Sequence, residues 1–340
     1  MKFFKIRNKR VGQNNPTFII AEIGLNHNGS ASQCAKLIDA AKLANVDAVK
    51  LQVSNPIESY AKNTKSYKLF KKNLLKENEI LNLSNYASKK KIIFFFTAGD
   101  FKSLNLVKKF KMPAIKISSG LMTNIPLVTE ASKIGLPMII STGMSFKKEI
   151  VETFKIATRY NKSGISLLKC TSLYPASEQT INLSAIKSFI KTFKVPIGYS
   201  DHSKDNLASL LAVSCGAKII EKHFTLNRKQ SGADHRFSSE PKELKMLVND
   251  IRRAENLMGS PVIKPHNKEI SERKKYFRKI LAIKNIVKNE KLTISNIGLK
   301  RTLNFQSGLS TKYFYKILGK RAKRNIKTDE GISYSKIKNK

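Results

Sequence analysis

The chain has 340 residues, and its 64 Lys and Arg against 24 Asp and Glu give a net charge of +40. That length can bury one large core plus a small module. No apolar run approaches the roughly 18 residues of a membrane span, and the opening MKFFKIRNKR leads only into the short TFIIAEI, so neither a membrane segment nor a signal peptide is expected. The cysteines, Cys34, Cys170 and Cys215, form no CxxC pair and read as small core residues of a cytoplasmic protein. The lysines are scattered over helices and loops without interleaved aromatics, which argues against nucleic acid as the main partner. From residue 262 onward, 22 basic residues face five acidic ones, so the positive charge is densest in the tail.

In chain order, apolar or β-branched runs at 17–23, 47–52, 92–97, 114–117, 137–141, 165–170, 195–199 and 217–222 read as buried strands. Amphipathic segments at 31–44, 76–90, 101–110, 124–135, 146–160, 182–192, 204–215 and 240–257 read as the helices between and after them. Eight such alternations match the α/β class and a parallel (β/α)8 TIM barrel. A doubly wound open sheet is the alternative, but the chain has no nucleotide-binding glycine fingerprint.

The polar residues fall at the strand ends. Glu22 closes the first run, Lys50 and Gln52 the second, and Thr97 the third. Lys116 ends the fourth, just before Ser118 and Ser119, and Ser141 and Thr142 end the fifth. Thr171 and Tyr174 follow the sixth, Ser200, Asp201 and His202 the seventh, while Glu221 and His223 belong to the eighth. All of these are carboxyl ends, the face on which barrels build their sites. His202 and His223, on neighbouring strands, are suited to clamp one divalent metal with coordination positions left open. A lysine within an apolar strand needs an anion. For two on one rim, Lys50 and Lys116, a ligand anion is preferred over structural carboxylates. With the hydroxyls of Ser119, Ser141 and Ser200 they form a cup suited to a compact molecule carrying phosphate and carboxylate.

Eight stretches in order resemble the sialic acid synthase family: AEIGLNHNG at 21–29, VKLQ at 49–52, IKISSG at 115–120, STGM at 141–144, CTSLYP at 170–175, GYSDH at 198–202, EKHFTL at 221–226 and GADHRFS at 232–238. The tail is similar to that family's small β-rich antifreeze-like (SAF) module, and it repeats the pattern of a basic residue, Asn-Ile, and a downstream acid. Gly259–Ser271 carries two prolines. Residues 261–275 are therefore assigned as a linker between a barrel over 1–260 and a module over 276–340.

The resemblance implies condensation of phosphoenolpyruvate with N-acetylmannosamine, or a related N-acyl amino sugar, and water, giving a nine-carbon 2-keto acid and phosphate. It implies Mn2+ or Mg2+ on His202 and His223, with Lys50, Lys116, Ser119, Ser141 and Ser200 around phosphoenolpyruvate. Gln52, Tyr174 and Asp234 match sugar contacts, and Glu22 is the candidate to position or deprotonate the attacking water. A domain-swapped homodimer is implied, in which the module of one subunit extends Arg301 over its partner's barrel. Leu121 and Ser172 depart from the residues usual in sialate-forming members, glutamate and often asparagine. They leave open a legionaminate or pseudaminate synthase using a 2,4-diacetamido-6-deoxy hexose. Two other readings are an aldolase acting on an unmodified sugar phosphate and a polyanion binder on an inactive barrel. The module and the GADHRFS stretch argue against the first, the complete rim against the second.

Overall fold

The computed structural model describes residues 3–301 and 308–338, without the side chain of Lys274. It divides into two compact units, Met1–Gly259 and Ser260–Lys340. The first opens with a hairpin that the strand pattern does not announce, β1 (Phe3–Ile6) against β2 (Lys9–Gly12). Phe4, Ile6 and Val11 of this hairpin belong to the main core. Phe4 packs over Gly164, where an added Cβ would lie 2.4 Å from the Cβ of Phe4, so that position has no room for a side chain.

The alternation then runs β3 (Phe18–Gly24), α1 (Ala31–Leu43), β4 (Ala48–Val53), α2 (Pro56–Ser59), α3 (Lys65–Lys72), α4 (Glu77–Lys89), β5 (Ile93–Ala98), α5 (Phe101–Lys109) and β6 (Ile115–Ile117). It continues with α6 (Ile125–Lys133), β7 (Met138–Ser141), α7 (Lys147–Tyr160), β8 (Ile165–Cys170), α8 (Glu178–Ile181), α9 (Ala185–Phe193), β9 (Ile197–Asp201), α10 (Leu207–Ser214), β10 (Ile219–His223) and α11 (Pro241–Met258). Strands β3 to β10 are parallel and close on themselves, β10 pairing with both β9 and β3. They are buried on both faces, inside by one another and outside by the helices, and so read as continuous apolar runs.

Local chemistry sets the element ends. The Ser30 hydroxyl accepts the Gln33 N–H at the start of α1, whose inner face is Cys34, Leu37, Ile38 and Ala41. Asn45, at φ +63°, turns the chain out of that helix, a conformation Asn tolerates better than most residues. Asp100 caps α5 in a reciprocal arrangement with Ser103, and its other oxygen accepts from the Ser54 and Ser59 hydroxyls. That bond network ties down the segment carrying α2 and α3, which the barrel alternation alone does not predict.

The second unit holds its own core of Ile280, Ala282, Ile286, Leu292, Ile297, Ile317, Ala322, Ile326, Ile332 and Ile337. Part of the expected linker is ordered as α12 (Asn267–Tyr276), followed by β11 (Lys279–Ala282) paired antiparallel with β12 (Ile297–Lys300). The repeated sequence pattern becomes a near two-fold arrangement. Ile286 and Ile326 exchange backbone bonds of 2.8 Å in each direction. Asn285 Oδ1 accepts the Thr328 N–H, as Asn325 Oδ1 accepts that of Lys288. Glu290 and Glu330 each take the backbone N–H three residues before them.

Candidate active site

Side chains alternate in and out along a strand, so residues two apart share a face. On β10 this aligns Glu221 with His223, and at the end of β9 Ser200 with His202. Register then sets neighbours side by side: Glu22 beside Lys50 and His223, Glu221 beside Ser200, and Thr97 beside both Gln52 and Lys116. The carboxyl end of the barrel thus gathers a buried polar layer out of eight mainly apolar strands.

At its centre are two ammoniums and two carboxylates. Lys50 Nζ pairs with Glu22, lies 3.6 Å from Glu221 Oε2 and donates to Thr97 Oγ1 at 2.9 Å. Lys116 Nζ lies 3.5 Å from Glu221 Oε1 and donates to Ser141 Oγ at 2.7 Å, and Ser200 Oγ donates to the same Glu221 oxygen at 2.9 Å. None of the four charged groups is more than 5 % exposed. This corrects the preference for a ligand anion alone: both lysines meet structural carboxylates. The reason is physical, since two ammoniums so deeply buried need counter-charge whether or not a ligand is bound.

Burial and neighbours separate the two carboxyls. Burial pushes Glu22 up to about 7, with Lys50 opposing and Glu221 reinforcing the rise. Burial also disfavours the ionised Glu221, but Lys116, Lys50 and the Ser200 hydroxyl outweigh it and hold that group well below the usual carboxylate range. Burial lowers Lys116, whereas Lys50 ends raised because Glu22 and Glu221 overcome its desolvation. Glu221, given no role from the sequence, is the hinge of the cluster. The signal was available: an acid two residues before His223 on an apolar strand faces the same way.

The imidazoles of His202 and His223 lie beside this layer with ring centroids 5.4 Å apart, and both are buried. His202 Nδ1 is 2.7 Å from the Thr171 carbonyl, which fixes its proton there and leaves the Nε2 lone pair available. His223 is held neutral, well below its ordinary value, first by burial, then by the charge of His202 whenever that ring is protonated, and by Lys50. His223 Nδ1 and Glu22 Oε1 are buried without a hydrogen-bond partner, and Asp234 Oδ2 lies 3.7 Å from that nitrogen. Two lone-pair nitrogens, one of them orphaned, fit the nitrogen donors of a divalent ion. Among the described residues no group of three or more His, Cys, Asp or Glu is arranged to hold a metal, so the chain would supply only part of the shell.

The remaining expected residues surround this centre unevenly. Ser119 Oγ accepts the Gly143 N–H at 3.0 Å and lies 3.6 Å from Cys170 Sγ. A Cβ on Gly143 would come within 2.2 Å of Ser172 Oγ and 2.9 Å of Ser119 Oγ, so only glycine lets this loop lie against them. Tyr174 covers His202, ring centroids 4.2 Å apart, and Phe237 packs on both Tyr174 and His223. Asp234 approaches from the loop after β10: a Cβ on Gly24 would be 3.0 Å from its Oδ2 and 3.2 Å from Glu22 Oε1. Gln52 is half-buried at the end of β4. Arg301 lies in the second unit with its guanidinium 5.2 Å from the Tyr276 ring centre. Among the described residues no helix is long and apolar enough to cross a membrane.

Residues 37–263 match the NeuB family and 278–338 the SAF domain. An uncharacterized protein of Methanocaldococcus jannaschii is 40% identical over 98% of both chains. The N,N'-diacetyllegionaminic acid synthase of Campylobacter jejuni is 37% identical over 93% of this chain and 98% of its own. The crystal structure of N-acetylneuraminic acid synthetase from Leptospira borgpetersenii, in complex with citrate, superposes with a TM-score of 0.77 at 39% identity, covering 79% of this chain and 94% of that one. The chain belongs to the NeuB family, an enzyme family of sugar-acid synthases, and joins a TIM barrel to a C-terminal SAF domain.

Proposed function

We propose that this NeuB family member condenses phosphoenolpyruvate with an N-acyl amino sugar and water, releasing phosphate and a nine-carbon 2-keto acid. The observation that carries the reading is the buried layer of Lys50, Lys116, Ser141 and Ser200 beside two imidazoles whose ring centres lie 5.4 Å apart at the carboxyl face.

Lys50, Lys116 and the Ser119, Ser141 and Ser200 hydroxyls bind and orient phosphoenolpyruvate, holding its carbon 3 in attack geometry and neutralising the phosphate as it leaves. His202 and His223 would hold Mn2+ or Mg2+, which when bound polarises the sugar aldehyde as a Lewis acid. Glu22, with one oxygen on Lys50 and the other unpartnered, positions the water that adds to carbon 2 and accepts its proton. The resemblance supports Gln52, Tyr174 and Asp234 as contacts of the sugar. The resemblance also supports a homodimer in which the SAF domain of one subunit brings Arg301 to the sugar of its partner.

The acceptor is N-acetylmannosamine or, as the second reading, a 2,4-diacetamido-6-deoxy hexose. Leu121 and Ser172 keep the second reading open, because they stand where sialate-forming members usually carry glutamate and often asparagine. The test is phosphate release from phosphoenolpyruvate with Mn2+ across a panel of 2-acylamino sugars and arabinose 5-phosphate, with products identified by mass. Release with arabinose 5-phosphate alone, or with no sugar of the panel, would reject the proposal.

A further inference from the structure

Directly behind the two imidazoles lies a second buried ion pair that no step above uses. Asp201 and Lys222 are register partners on β9 and β10, with Lys222 Nζ 2.9 Å from Asp201 Oδ2 and both side chains almost fully buried. They are the out-facing members of the strand ends whose in-facing members are Ser200, His202, Glu221 and His223. Asp201 reaches the helical layer, where the Ser209 hydroxyl of α10 donates to it at 2.6 Å.

The bonds of this pair enclose His202 on both sides. Asp201 Oδ1 accepts the Ser203 N–H at 2.8 Å, closing a turn around the histidine. Lys222 Nζ donates to the Ser203 and Asp205 carbonyls, each at 2.7 Å, so the chain leaving His202 is pinned to the residue next to His223. We infer that Asp201 and Lys222 are positioning residues, which lock the two strand ends so that His202 and His223 converge on one divalent ion. An apolar pair would serve bare stability as well, since desolvating two charges offsets most of their attraction. Only a polar pair can grip the backbone N–H and carbonyls that set where His202 points.

The inference rests on the metal-dependent reading above, so its test reads metal binding directly. Mn2+ affinity would be measured by electron paramagnetic resonance of the free ion for the full-length wild type, His202→Ala, Lys222→Met, Asp201→Asn and the double variant Asp201→Leu/Lys222→Met. Melting temperatures would be taken without metal. Lys222→Met and Asp201→Asn are expected to bind Mn2+ about 10- to 100-fold more weakly. Asp201→Asn, which keeps the Ser203 N–H acceptor, should be the milder of the two. The double variant should regain much of the stability lost by Lys222→Met, yet bind Mn2+ no better than that single variant. A folded Lys222→Met or double variant that holds Mn2+ as tightly as wild type would overturn the inference alone. A wild type that binds no more Mn2+ than His202→Ala would overturn the premise with it.

Discussion

Replacing Glu221 by Gln removes one negative charge from between two buried ammoniums while keeping the shape of the side chain. Glu221 lies 3.5 Å from Lys116 Nζ and 3.6 Å from Lys50 Nζ, and after the change only Glu22 remains to balance both. Removing one partner of a buried ion pair costs about 3–5 kcal/mol. Gln still accepts from Ser200, so a loss of about 3 kcal/mol is expected for the protein free of ligand, at the low end of that range. At roughly 2–4 °C per kcal/mol for a barrel of this size, the melting temperature should fall by about 6–12 °C. The second half of the expectation is specific to the site. Inorganic phosphate or phosphoenolpyruvate supplies the missing negative charge, so either should raise the melting temperature of Glu221→Gln more than that of wild type. Thermal unfolding with and without phosphate at low salt measures both effects. A variant melting within about 2 °C of wild type, or protected by phosphate only equally, would refute the idea that Glu221 is the counter-charge of the two lysines.

His202→Ala should lose divalent-metal binding and nearly all turnover with the barrel folded; calorimetric titration with Mn2+ and circular dichroism check it, and an active variant would discard the ligand assignment. Lys116→Ala loses the charged hydrogen bond to Ser141 and the charge proposed to meet phosphoenolpyruvate, worth about 1.5–3 kcal/mol, so the KM for that substrate should rise about 10- to 100-fold while kcat changes less. An unchanged KM would count against its place in the anion site. Burial lowers the buried His27 from 6.5 to about 4, and its Nδ1 accepts the Gly29 N–H at 3.1 Å. With the folded pKa depressed, the unfolded chain takes up the proton first on acidification. This contribution to stability is therefore full above pH 6.5 and is lost as pH falls towards 4, by at most about 3 kcal/mol. His27→Gln should flatten that part of the urea-unfolding pH profile; the same slope in both proteins would exclude His27 as its source.

The barrel was legible because parallel strands buried on both faces leave continuous apolar runs, and the structural strands match the expected runs to within about two residues. The polar members of the site were legible for the complementary reason: Glu22, Lys50, Lys116 and His223 interrupt runs that burial would otherwise keep apolar. Their mutual pairing was not, because a lysine aimed at a ligand and a lysine aimed at a carboxylate occupy the same kind of position. Which carboxylate meets which lysine depends on barrel register, and that is a property of eight strands together. The hairpin of Phe3–Gly12 and helices α2 and α3 escaped because short elements stabilised by a few tertiary contacts carry little periodicity of their own. Asp201 looked like one more rim residue and its partner Lys222 drew no role, although the two-residue period already placed both on the face away from His202 and His223.

The charge balance of the site leads to one more expectation. Two lysines and two carboxylates at the barrel mouth leave little net charge, despite the +40 of the whole chain. A ligand bearing both phosphate and carboxylate would bring two or more negative charges into that balanced, buried layer, where unmatched charge is strongly disfavoured. A dication on the adjacent imidazoles supplies the compensation, so the ion and phosphoenolpyruvate should bind cooperatively. By linkage each must strengthen the other by the same factor, and a coupling of about 1–3 kcal/mol corresponds to roughly 5- to 150-fold. Calorimetric titration of phosphoenolpyruvate with and without Mn2+, and of Mn2+ with and without phosphoenolpyruvate, closes the cycle. In His202→Ala the coupling should vanish while phosphoenolpyruvate alone binds as weakly as it does to metal-free wild type. Independent binding in wild type would mean that Lys50 and Lys116 already suffice for the anion, and that Glu22 and Glu221 give way to it without help from the imidazoles.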